Sequence, residues 1–173
     1  WIRMLERWGN WLWFEEPLPS QRMADYARLR QLLPVPISGG ENLLHPAQVW
    51  SWWKEGALDI WNPDPLHLGG IDIYLNTLQA ARSIGLRFSP HTYDGMLSRY
   101  YALLAQSVLP PWSKMEGEDC EPVEWDVMEN PFTELLSIRP QGGKVRLPED
   151  KGAGVQLDME RLKFLLWDGT RYW

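Results

Sequence analysis

Four residues of this chain could do chemistry together: Glu15, Glu41, Asp64 and His91 each close a short apolar run. The runs are Trp11-Leu12-Trp13-Phe14, Val35-Pro36-Ile37-Ser38, Leu58-Asp59-Ile60-Trp61 and Leu86-Arg87-Phe88-Ser89. A fifth polar residue, Glu124, follows Pro122-Val123 more loosely. Carboxylates brought side by side repel one another unless a cation lies between them, and hard oxygen ligands favour Mg2+. An aspartate hydrogen-bonded to a histidine fixes its tautomer and raises the basicity of the other ring nitrogen, which suits proton transfer. Glu15 and Glu16 compete for one place, because adjacent strand residues point to opposite sides, and the residues alone leave that choice open. Of the three histidines, His91 has the strand-end context, whereas His45 reads as a helix entry and His67 as a loop residue. Triad chemistry is disfavoured: no G-x-S-x-G motif occurs, and Cys120 sits in an acidic loop.

The spacing says what must position these groups. The intervals are 26 residues (15 to 41), 23 (41 to 64), 27 (64 to 91) and 33 (91 to 124). About 25 residues is one strand plus one helix with two loops, the unit of a (β/α) barrel, whose chemistry sits at the carboxyl ends of the strands. Helices are expected at Gln21 to Leu33, with Ser20 as N-cap and Met23, Tyr26, Leu29 or Arg30, and Leu33 as the buried face. Others are expected from Pro46 to a C-cap at Gly56, from Ile71 to Ile84, and from Gly95 to Val108. The Gly69-Gly70 pair supplies a turn or a close backbone approach. Residues 112–119 read as a long loop, which stretches the last interval. Beyond Asn130 the rhythm stops: a turn at Gly142-Gly143, a short strand over Val145 to Leu147 and a capped helix over Asp158 to Trp167 are expected. Of the adjacent Trp52 and Trp53, at least one should reach a neighbouring helix or subunit, with core packing the favoured use.

A length of 173 residues suits one domain but falls short of the roughly 250 of a whole eight-stranded barrel. The chain begins at Trp1 inside an amphipathic run with Ile2, Leu5 and Trp8 on one face, so the C-terminal part of a larger protein is expected. A net charge of −6 with 17 scattered basic residues argues against a nucleic-acid partner. No run approaches the ~20 apolar residues of a membrane span, so no membrane partner and a soluble, cytoplasmic protein are expected. A single cysteine leaves no internal disulfide. An unpaired edge at Trp11 to Phe14 favours association, and a homo-oligomer is expected.

Taken in order, Trp13-Phe14-Glu15-Glu16-Pro17, Ile37-Ser38-Gly39-Gly40-Glu41-Asn42, Asn62-Pro63-Asp64 followed by Gly69-Gly70, and Ser89-Pro90-His91 resemble the C-terminal barrel of the enolase superfamily. The mandelate racemase-like subgroup, with its sugar-acid dehydratases, is the nearest in pattern. Asn130-Pro131-Phe132 and Gly152-Ala153-Gly154-Val155-Gln156-Leu157-Asp158 are similar to that family's tail, so the resemblance covers nearly the whole chain. It implies an α/β fold, the incomplete C-terminal part of a TIM-type barrel with about the last five strands. Residues 1–129 would be barrel, and 130–173 a tail near a capping domain.

Carried over by position, the resemblance makes Glu15 and Glu41 the second and third ligands of Mg2+, and Asp64 and His91 a dyad with His91 as base or acid. Glu124, or less directly Glu121, becomes the acid on the last strand that meets a substrate carboxylate or enolate. The implied activity is abstraction of the proton alpha to a carboxylate with loss of water from a sugar acid, a small-molecule substrate. An aspartate at position 64 points away from the muconate-lactonizing and dipeptide-epimerase branch, where a lysine would be expected. The first metal ligand would lie upstream of Trp1. A racemase or epimerase is the enzymatic alternative, and a non-catalytic barrel segment the alternative of another class.

Overall fold

Ile37, Trp61 and Phe88 are almost completely buried, and removal of that apolar surface from water helps to draw four short runs into one sheet. The computed structural model describes residues 4, 7, 9–93, 95–110, 121–125, 138–149, 158–164 and 169. Its strands are β1 (Phe14–Glu15), β2 (Ile37–Gly39), β3 (Ile60–Trp61) and β4 (Arg87–Phe88). They pair in parallel in the order β1-β2-β3-β4, with Phe14 opposite Ile37, Ser38 opposite Ile60 and Trp61 opposite Phe88. Parallel neighbours need a crossover, and each crossover is a helix: α1 (Met23–Leu32), α2 (Pro46–Glu55) and α3 (Ile71–Ser83), with α4 (Met96–Ser107) after β4.

Here the repeat read from the sequence stands, one strand and one helix at a time. The fifth repeat differs. Residues 121–125 run beside the end of β4 without forming a strand, although the Glu124 N–H donates to the Pro90 carbonyl at 3.2 Å. Pro122 has no N–H to give to a ladder.

The helix limits follow local chemistry. In α1, Tyr26 is buried while Met23, Leu29 and Leu33 pack against the core, and Arg30 instead turns to Asp59 at 2.5 Å. Ser20 is not the N-cap. That position falls to Arg22, which makes no side-chain cap, because the helix starts two residues later than its pattern suggested. For α2, His45 caps the start by accepting from the Ala47 N–H through Nδ1 at 3.1 Å, and Gln48 reaches back to the His45 N–H at 3.1 Å. Gly56 ends it in the left-handed conformation, φ 69°. Trp52 is buried edge-on against Tyr26 of α1, with ring centroids 5.1 Å apart, while Trp53 faces outward.

Of the tail, the turn at Gly142-Gly143 is closed by an antiparallel bridge between Gln141 and Lys144. Val145 to Leu147 form no strand: among the described residues no segment pairs with them beyond that single bridge, and Leu147 packs with Ile138 and Leu104 around Tyr100 of α4 instead. The last helix, α5 (Met159–Lys163), begins one residue after Asp158, whose carbonyl accepts from the Leu162 N–H. Cys120, the loop 112–119, the motifs at 130–132 and 152–157, the opening run with Ile2, Leu5 and Trp8, and residues 165–167 lie outside the described residues.

Candidate active site

Beyond each strand the ladder continues for a few residues, and those residues carry the polar groups. The Glu16 N–H donates to the Ser38 carbonyl, the Asn62 N–H to Gly39, the Ser89 N–H to Trp61 and the His91 N–H to Pro63. The last of these sets His91 beside Asp64. Gly40 makes the turn after β2 possible: its φ is 95°, and a Cβ there would lie 3.0 Å from both Leu43 Cδ1 and Trp61 Cδ1. Glu41 leaves the sheet immediately afterwards.

Asp64 is fully buried at its side chain, so its carboxylate must be satisfied from within. One oxygen, Oδ1, accepts the Leu66 N–H at 2.7 Å, and Oδ2 accepts from His91 Nδ1 at 2.8 Å. A carboxylate only accepts, so Nδ1 carries the hydrogen and Nε2 is the nitrogen free to exchange a proton. Nε2 lies 3.4 Å from Glu41 Oε2 and 3.9 Å from Glu124 Oε2. Burial alone would lower the His91 pKa, but the hydrogen bond that its Nδ1–H donates to Asp64 and the charges of Glu41 and Glu124 outweigh it and push the value up to about 9. Burial also acts to raise Asp64, yet the bonds from His91 and Leu66 together hold it below the ordinary aspartate range.

His91 opens on a cavity of about 160 Å3 whose walls include Trp13, Glu15, Asn62 and Glu124. Glu15 is partly dehydrated there, and that loss of hydration, with Glu124 and Glu16 nearby, raises its pKa although Trp13 Nε1 donates to it at 3.2 Å. Glu16 does not share the cavity wall. Its backbone turns to φ 39° and its Oε1 accepts the Gly40 N–H at 3.3 Å. Burial and the charge of Glu41 raise the Glu16 pKa as well. On the last segment, Glu124 lines the cavity, whereas Glu121 is buried against Arg82.

The arrangement therefore brings together Glu15, Glu41, Asp64, His91 and Glu124 around one mouth, with Glu41 meeting His91 rather than lining the cavity itself. Glu15 and Glu41 fit a hard divalent cation. Both are hard oxygen donors of the kind such a cation takes, and the raised pKa of Glu15 comes first from burial, with the charges of Glu124 and Glu16 adding to it. Among the described residues, no three side chains of His, Cys, Asp or Glu are grouped to hold an ion. Two contributors were given no part in the site by the sequence, where His67 reads only as a loop residue. His67 donates through Nδ1 to the Glu41 carbonyl at 3.1 Å, tying the turn after β2 to the loop after β3. Thr92 gives its N–H to Glu124 Oε2 at 2.8 Å and its hydroxyl to the Glu124 carbonyl at 2.7 Å. Nothing in the spacing of either residue signals these bonds, which depend on how two loops meet.

A model of the enolase C-terminal domain-like family matches residues 1–161. The sequence is 29% identical over 154 residues to a D-galactarolactone cycloisomerase of Agrobacterium fabrum, covering 87% of this chain and 40% of that protein. It is 29% identical over 156 residues to an arabinonate dehydratase of Saccharolobus solfataricus, covering 90% of this chain and 40% of that one. A solved structure from Bordetella bronchiseptica, provisionally described as a mandelate racemase, superposes with a TM-score of 0.83 at 28% identity, over 97% of this chain and 44% of its own. The chain thus spans about 40% of the length of these curated relatives. No helix among the described residues is long and apolar enough to cross a membrane.

Proposed function

The chain belongs to the enolase C-terminal domain-like family, and from that premise we propose that the whole protein is a Mg2+-dependent dehydratase of a sugar acid. The observation that carries this is the buried Asp64–His91 dyad, which aims Nε2 at a mouth flanked by carboxylates. Support for the substrate class comes from the arabinonate dehydratase relative. Glu15 and Glu41 are two of the ligands. When bound, Mg2+ stabilises the negative charge that gathers on the substrate carboxylate as its alpha proton leaves.

The residues of this chain handle protons and position. His91 gives its Nε2 proton to the hydroxyl on the carbon beta to the carboxylate, and that hydroxyl departs as water. The alpha proton passes to a second base elsewhere in the whole protein, and the electrons of the broken C–H bond become the C=C bond of an enol, which tautomerises to a 2-keto-3-deoxy acid. Asp64 holds the ring and balances its charge through Nδ1. Glu124 is the partner of the enol oxygen, held in place by Thr92.

A second reading follows from the cycloisomerase relative: the same proton abstraction with rearrangement of a lactone and no net loss of water. Both are tested by incubating the whole protein and Mg2+ with a panel of aldonic acids, aldaric acids and their lactones. A 2-keto-3-deoxy product that disappears with a chelator is the expected result. An isomer of unchanged mass selects the second reading, and no conversion of any member contradicts both.

A further inference from the structure

Glu124 reaches the mouth on a segment that is not a strand, so something other than a ladder must fix its height. At the near end of that segment, the Glu121 carboxylate is gripped by both arms of Arg82, Nε to Oε1 at 3.2 Å and Nη2 to Oε2 at 2.5 Å. Both side chains are nearly closed to solvent, 7% and 4% exposed. Arg82 also lies over the Phe88 ring of β4 at 5.7 Å, and Gln106 of α4 donates to the Glu121 carbonyl at 2.9 Å. One residue further on, the Ser89 hydroxyl donates to the Pro122 carbonyl at 2.9 Å. The pair therefore ties 121–125 to α3 and β4 at one end, while Pro90 and Thr92 take hold at the other.

A buried ion pair is a poor source of stability, since apolar residues of similar volume often do as well or better. What a two-armed guanidinium–carboxylate contact does supply is direction, because both partners are planar and only one relative orientation satisfies both bonds. We propose that Arg82 and Glu121 are positioning residues of the active site, setting the register of the 121–125 segment so that Glu124 stands beside His91. Neither touches substrate. The inference rests on the role given to Glu124 above, and displacement of such a group by about 1 Å is enough to cost on the order of a hundredfold in rate.

The test is the double variant Arg82→Met/Glu121→Met in the whole protein, made both alone and together with Glu124→Gln. Turnover at saturating substrate should fall at least tenfold while the melting temperature stays near the parent's. In the Glu124→Gln background the same pair of changes should cause no further fall. Hydrogen exchange at the Thr92 amide, which reports the Glu124 bond without reference to activity, should accelerate about tenfold. Equal losses of turnover in both backgrounds, or an unchanged Thr92 amide, would overturn the proposal. If Glu124→Gln alone retains full turnover, the catalytic role of Glu124 is what fails, and the Thr92 amide then decides the positioning claim by itself. Should the double variant not fold, Arg82→Lys, which keeps the charge and loses the fork, is measured the same way against the same outcomes.

Discussion

Replacing Asp64 by asparagine keeps the shape of the dyad and removes its charge, so it isolates what the carboxylate does to His91. The bond is 2.8 Å long and ends on a side chain closed to solvent. A hydrogen bond to a charged group contributes about 1.5–3 kcal/mol, and 1.36 kcal/mol corresponds to one pH unit, so the His91 pKa should drop by about one to two units. From about 9 in the parent it should therefore fall to roughly 7–8, with Glu41 and Glu124 still holding it up. The assay is an NMR titration of the His91 ring in metal-free protein. Stability changes in the same sense. A histidine raised from 6.5 to about 9 on folding stabilises the fold fully below pH 6.5, and that contribution disappears as the pH rises through 9. The whole effect is on the order of 3 kcal/mol, and in Asp64→Asn the fall of stability across that window should shrink. A His91 pKa unmoved by Asp64→Asn would refute the claim that the buried carboxylate governs the ring.

Other consequences lie at the elements that present the site. Gly40→Ala puts a methyl group 3.0 Å from Leu43 and Trp61 at a φ of 95°, so a loss of about 1–3 kcal/mol in denaturant unfolding is expected, together with weaker Mg2+ binding as Glu41 shifts. His45→Ala removes the cap of α2 and should cost about 1 kcal/mol with turnover unchanged, because the side chain lies outside the mouth; a matching loss of activity would show that the helix entry does more than cap. Glu41→Gln in the whole protein should weaken Mg2+ binding, measured by calorimetry, and turnover together. Full activity at limiting Mg2+ would remove Glu41 from the ligand set.

Much of the frame was legible because it repeats. Each of Glu15, Glu41, Asp64 and His91 stands at the end of an apolar run that becomes a strand, and Pro46 and Gly56 mark the limits of α2 within a residue. The choice between Glu15 and Glu16 was not legible: alternation says that one enters the mouth, and it takes the structure to put Glu15 on the cavity wall while Glu16, at positive φ, accepts the Gly40 N–H and feels the charge of Glu41. Ser20 misled because a favourable cap residue cannot hold a helix whose first turn forms two residues later. The strand expected at Val145 to Leu147 failed for a related reason, since short apolar runs become strands only where a partner edge is available, and among the described residues none pairs with this run. The ties from His67 to Glu41 and from Arg82 to Glu121 join residues 26 and 39 apart in the chain, and no local pattern encodes such meetings.

The most direct test of the central claim is proton exchange at the substrate's alpha carbon by the whole protein and its His91→Asn variant, in D2O with Mg2+ and the sugar acid that the panel identifies. The parent should incorporate deuterium or release the 2-keto-3-deoxy product. His91→Asn should lose product formation by about a hundredfold to ten-thousandfold, the range typical of a positioned acid or base, while its circular dichroism and Mg2+ affinity stay those of the parent. Undiminished product formation by His91→Asn would contradict the assignment of the mouth's proton carrier.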